Sequence, residues 1–167
     1  MTTADPSAAE TRETAFLCTT GDGLPSLLTA NDGPWEVIQA FYARTPRTQQ
    51  TRFYVWCPEW QDNRAANIRI RTTYQFILKM YWPVRVTSAP LAEQEQQAFK
   101  SAAALLVARI RGFVNDKTHG GAFLSVGEAP RQPGVHATFE DPEVTIPADK
   151  ELRGQLLYYA DDFEIND

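Results

Sequence analysis

The sequence predicts an α+β fold: an antiparallel or mixed β-sheet with a long extended hairpin, one long amphipathic helix packed on one sheet face, and a short N-terminal helix. Three observations carry this. Residues 68–86 sustain a period-2 alternation, with apolar side chains at nearly every even position. Residues 88–113 show helical spacing with end signals. Several shorter runs rich in β-branched and aromatic residues lie on either side of that helix.

The alternating run is the clearest element. Its even positions read Ile68, Ile70, Thr72, Tyr74, Phe76, Leu78, Met80, Trp82, Val84 and Val86, with Arg69, Arg71, Lys79 and Arg85 among the odd ones. Period-2 alternation over nineteen residues excludes a helix. Fully extended it would be ~60 Å long, so the strand must bend or run out past its domain as a hairpin arm. In the helix that follows, Ser88 is placed as the N-cap and Pro90 in the first turn. Phe99, Ala102, Leu105, Leu106, Arg109, Ile110 and Phe113 form one stripe.

The remaining elements follow from local signals. Residues 1–13 are small, polar and charged and read as a flexible tail, leaving 14–167 as a single domain. Residues 14–30 read as one short helix or two, interrupted by Gly21-Asp22-Gly23 and Pro25. Trp35–Tyr42 reads as a strand, 43–51 as a polar hairpin connection, and Arg52–Cys57 as a strand ended by Pro58, with 59–67 a polar connection. Further strands are expected at Ala122–Glu128, Val135–Phe139 and Leu152–Ile165, with Val144–Ile146 extended up to Pro147.

Composition narrows the function. The chain has 167 residues, 43% hydrophobic and 22% charged, which is ordinary for a globular protein. No apolar run is long enough to span a membrane, and no secretory leader is visible. Cys18 and Cys57 lie outside any CxxC pattern and read as small buried hydrophobes, although one disulfide is arithmetically possible. His119 and His136 are too few for a zinc site.

The net charge of −5 hides a segregation: residues 1–43 carry −5, 44–85 carry +6 and 86–167 carry −6. Three readings are open. The charges meet within the folded monomer or lie on solvated faces; or they form a basic surface for phosphates; or one basic and one acidic flank favour head-to-tail association. For the last, the basic candidates are Arg52, Arg69, Arg71, Lys79 and Arg85, facing other subunits or a lumen. The acidic partner-face candidates are Asp161, Asp162 and Glu164. As a nucleic-acid track the basic strand face offers only Tyr81 for stacking, and overall acidity argues against a dedicated binder.

Catalytic signals are sparse. His119, in the loop KTHGG, is the best single candidate, against a plain turn requiring positive φ. GxSxG, Walker, GxGxxG and HExxH patterns are absent. Alternation puts Asp162 and Glu164 on one strand face and Asp161 on the other, which spoils a metal triad.

The element order, the long strand running into KMYWPVRVTSAPLAEQEQ, and the stretches DKTHGGAFLSVGE, FEDPEVTIP and LLYYADDFEIND together resemble the tail terminator (tail completion) proteins and related neck proteins of long-tailed bacteriophages, in particular those infecting actinobacteria. The resemblance covers roughly residues 35–167 and carries no functional motif position by position. It implies a non-enzymatic virion protein without cofactors, made in the host cytoplasm and built into the neck. There it would form a ring, usually a homohexamer, at the head-proximal end of the tail tube. Its implied partners are copies of itself, the tail tube protein and the head–tail connector, with transient, sequence-independent passage of DNA through the lumen. A head–tail connector, a tube protein and, further off, a nucleic-acid-binding module stand as alternatives.

Overall fold

A computed structural model of the chain describes residues 4–20, 23–42, 50–66, 69–85, 88–112, 116–128, 133–163 and 165–166. Three α-helices, α1 (Pro6–Cys18), α2 (Ala89–Arg111) and α3 (Pro142–Asp149), accompany a mixed sheet. Its strands are β1 (Val37–Gln39), β2 (Arg52–Ala66), β3 (Arg69–Pro83), β4 (Ser125–Val126), β5 (His136–Phe139), β6 (Glu151–Asp161) and β7 (Ile165–Asn166). The order across the sheet is β1-β2-β3-β6-β4, with β5 also on β6 and β7 on β3. This is the α+β architecture the sequence predicts.

β3 organises the molecule. It pairs antiparallel with β2 along its length and with β6 from Thr73 to Pro83. The predicted alternation is realised: Thr72, Tyr74, Phe76, Leu78, Met80 and Trp82 are all buried. Phe53, Val55 and Cys57 from β2, and Leu152, Leu156, Tyr158 and Ala160 from β6, join them on the same face. α2 covers this inner face with Phe99, Ala102, Ala103, Leu106 and Ile110. The indole of Trp82 donates to Glu95 of α2 at 2.8 Å. Trp35, fully buried, meets Phe53 and Trp82 edge-on.

Several expectations need correction. The N-terminal helix starts at Pro6, inside the stretch read as a tail. Asp5 caps it, its carboxylate accepting from the amides of Ser7 (3.0 Å) and Ala8 (3.2 Å), and Pro6 opens it. Its buried positions are Ala9, Glu10, Glu13, Phe16 and Leu17. The spacing is helical, but two glutamates occupy the stripe and hide it from a search for apolar residues. Residues 24–28 carry no α-helix; a single 3-10 turn follows at Thr29–Asn31.

β1 is only three residues long and pairs parallel to β2, so the connection through 43–51 is not a hairpin. Pro58 does not end β2. The register passes from Trp56↔Ile77 to Glu59↔Gln75, so Cys57 and Pro58 oppose Phe76 alone in a two-for-one bulge. A bulge is one of the few sheet positions that tolerates proline's missing N–H. The strand then continues through the segment read as a polar connection, and Pro58–Asn63 are all exposed. The hairpin therefore stays paired past the bulge, with its β2 half exposed while Thr72 and Tyr74 of β3 opposite remain buried.

Val144–Ile146 is helical rather than extended, because Asp141-Pro142 starts α3: the Asp141 carboxylate accepts from the Glu143 amide at 2.9 Å. Within the expected strand at 122–128 only Ser125–Val126 pair. Cys57 is buried, but Cys18 is only half-buried, and both thiols are free.

Candidate assembly surface

Three helices and one sheet leave a choice of which face is covered, and here both α1 and α2 pack on the inner one. The outer face is built from the residues of opposite parity. β2 contributes Arg52, Tyr54 and Trp56; β3 contributes Arg71, Ile77, Lys79 and Tyr81; β6 contributes Arg153, Gln155, Leu157 and Tyr159. Cross-strand register brings these side chains together. Tyr54 stacks with Tyr81, ring centroids 6.2 Å apart, and Tyr42 meets Tyr54 edge-on at 5.5 Å. The guanidinium of Arg52 lies 4.5 Å over the Tyr81 ring, and the Lys79 ammonium 5.7 Å from that of Trp56. Trp56 is 42% exposed. Phe41, Tyr42, Tyr54, Trp56 and Lys79 line a cleft of about 480 Å³ at this end. Burial and the neighbouring hydroxyl of Tyr81 push the Tyr54 phenol up to about 12, so the ring stays neutral.

The candidate charges distribute unevenly. Arg52 meets Glu151 at 3.5 Å, and Arg153 reaches the same carboxylate at 2.9 Å. Arg71 lies 3.7 Å from Asp161, which also accepts from Thr73 at 2.5 Å. Arg85, on an exposed segment, bonds Glu36 at 3.1 Å. Asp161 and Asp162 fall on opposite faces as expected; Asp161 is buried, and Asp162 on the inner side pairs with Arg12 of α1 at 2.9 Å. Three basic candidates thus meet carboxylates of the same chain, as in the first of the three charge readings. Asp161 cannot present an exposed acidic face, because it is enclosed by Arg71, Thr73 and Ser125. Glu164 and the side chain of Arg69 lie outside the described residues.

His119 has the predicted positive φ, 52°, but it is not an open turn residue. It is buried, stacked at 4.0 Å on Phe16. Its Nδ1 lies 2.8 Å from Glu13 and its Nε2 2.6 Å from the Ile110 carbonyl. With both ring nitrogens occupied and no exposed surface, it offers no lone pair to a substrate. Among the described residues no group of three or more His, Cys, Asp or Glu side chains is arranged to hold a metal ion.

The aromatic belt is not visible in the basic strand alone, which shows only Tyr81. The signal lay in RFYVWC, where Arg52, Tyr54 and Trp56 share one parity. No protein-family model matches the chain, and no curated protein matches it.

Proposed function

We propose that the chain is a structural subunit that assembles with copies of itself into a closed ring, and that the ring is the tail terminator of a long-tailed phage. It would end tube growth and join the tail to the head connector. The observation that carries the self-assembly is the outer sheet face. Tyr42, Tyr54, Trp56 and Tyr81 cluster there, Tyr42 and Trp56 exposed and Tyr54 and Tyr81 half-buried among the described residues, and aromatic residues with arginine are what protein interfaces concentrate. A second observation supports an asymmetric, ring-closing contact. Of the cations around those rings, Arg52 and Arg153 share Glu151 of the same chain, so Lys79 is the one set to meet the exposed carboxylates of a neighbour's β5–α3 junction, Glu140, Asp141 and Glu143. The terminator role itself rests on the family resemblance. Light scattering and negative-stain imaging of the purified protein test the reading. Short closed rings are expected; open filaments would favour a tube protein, and a monomer at all accessible concentrations would overturn the proposal.

A second reading has one specific observation in its favour. The same face combines cations with the stacking platforms that a single-stranded nucleic acid needs. Binding of an oligonucleotide that weakens steeply with salt and is lost in Trp56→Ser would support it.

A further inference from the structure

Glu13 and His119 lie 106 positions apart in sequence and meet in the interior with essentially no exposed surface, 0% and 1% for the two side chains. The proton count at this pair follows from its neighbours. Nε2 faces the carbonyl of Ile110 at 2.6 Å, an acceptor only, so Nε2 carries a hydrogen. That carbonyl belongs to the last turn of α2 and has no partner within the helix. Nδ1 faces one oxygen of Glu13, whose other oxygen accepts from the Tyr158 hydroxyl at 2.5 Å. A good Nδ1–Glu13 contact therefore needs one further proton between the two groups. Without it, a ring lone pair would face a carboxylate in an interior that cannot solvate either.

We infer that Glu13 and His119 form a proton-held latch that docks the C-terminal half of α1 onto α2 and β6, and that the latch opens when the shared proton leaves. Every packed element contributes a group. α1 supplies Glu13 and, at its end, Cys18; α2 supplies the Ile110 carbonyl and Arg109; β6 supplies Tyr158; the loop of His119 supplies Asp116. Arg109, fully buried, donates to the carbonyls of Phe16 and Thr19, each at 2.8 Å, so it ties the same segment without a proton that leaves near neutrality. Arg12 anchors the earlier turns through Asp162 and the Ala122 carbonyl. Opening therefore also breaks the Arg109 contacts, made easier once the Glu13–His119 contact is lost, and it is confined to the turns beyond the Arg12 anchor, residues 13–18.

The direction follows from the charges. Burial alone would lower the imidazole's affinity for its proton, but the Glu13 charge, its hydrogen bond and the Ile110 carbonyl outweigh burial and raise it above its ordinary value. With the segment open, His119 titrates near ~6.5. The latch is at full strength below that pH. Above it the closed form alone keeps the proton, so the open fraction grows about tenfold per pH unit until the closed form also titrates.

The test is ¹⁵N NMR of the intact protein, with His136→Gln assigning the His119 signals, alongside amide exchange of residues 13–18 corrected for intrinsic rates. Expected are two protonated His119 nitrogens at pH 7.5 and an excess exchange rate in residues 13–18 that climbs about tenfold per pH unit above ~6.5. In Glu13→Gln that excess pH dependence should vanish. A neutral His119 ring in the wild-type protein at pH 7.5 overturns the latch even if the variant does not fold. So does exchange of residues 13–18 that ignores the titration, or a Glu13→Gln protein that keeps it.

Discussion

The two faces of the sheet are made by the same strands and differ only in parity, yet they follow different chemistry. The inner face is aliphatic and aromatic without charge along β3, and α1 and α2 close over it. The outer face interleaves rings with cations: Tyr54, Trp56 and Tyr81 with Arg52, Lys79 and Arg153. A solvent-facing sheet surface has no need of tryptophan and stacked tyrosines, since threonine, lysine or glutamate serve there at no cost in solubility. The difference teaches that the inner face accounts for folding and leaves the outer face available for association.

The sharpest way to break this division is to truncate adjacent residues of β3 that point opposite ways. Phe76 is fully buried, touching Phe123 and Tyr158 with ring centroids within 5.7 Å. Phe76→Ala should destabilise the protein by ~3–5 kcal/mol. Ile77→Ala, on the outer face between Trp56 and Leu157, should cost only ~1 kcal/mol. Urea denaturation of both variants measures the contrast; equal losses would mean that the outer face is buried in the monomer as well.

A smaller effect is expected where the two faces share one backbone position. Gly154 of β6 lies opposite Met80, and its extended backbone needs no glycine for conformational reasons. Space is what requires it. A Cβ there would stand 2.9 Å from both the Phe139 ring and the Thr138 carbonyl oxygen, and 3.1 Å from the end of Met80. The methionine can yield, but the carbonyl belongs to β5 and can move only with its strand. Gly154→Ala should cost ~1–3 kcal/mol, with faster amide exchange confined to His136–Phe139. Loss spread evenly over the sheet would show that β5 is not the element displaced.

Legibility in the sequence followed the same division. Periodicity revealed β3 and α2 because their inner faces are apolar at regular spacing. It does not reveal the first turns of α1, residues 6–13, because Glu10 and Glu13 sit where an apolar stripe would be sought. Their partners, the Cys57 amide at 2.7 Å and His119 with Tyr158, come from distant parts of the chain. Pro58 reads as a strand end, and Val144–Ile146 as extended rather than helical, because neither the bulge nor the Asp141-Pro142 helix start is visible locally. His119 was singled out by its glycines, which explain its loop but say nothing of Glu13. The charge segregation was legible as composition, whereas its resolution into Arg71–Asp161 and Arg12–Asp162 required the fold.

The least effect on folding and the most informative effect on association are expected at Trp56. Trp56 is 42% exposed, and the Lys79 ammonium lies 5.7 Å from its ring. Trp56→Ser removes a large exposed aromatic without opening a core cavity, so monomer stability should move by less than ~1 kcal/mol. If the outer face is the contact between subunits, the ring should dissociate at roughly thirty-fold higher protein concentration, about 2 kcal/mol per contact for a central aromatic anchor. Lys79→Glu, at the same spot, should weaken assembly and invert its response to salt. Such a change would place the acidic β5–α3 junction of a neighbour opposite it, because a lysine facing carboxylates loses attraction with added salt, whereas a glutamate facing them loses repulsion. Sedimentation equilibrium at two ionic strengths separates these outcomes. Assembly unchanged in both variants would assign the aromatic face to something other than a copy of this chain.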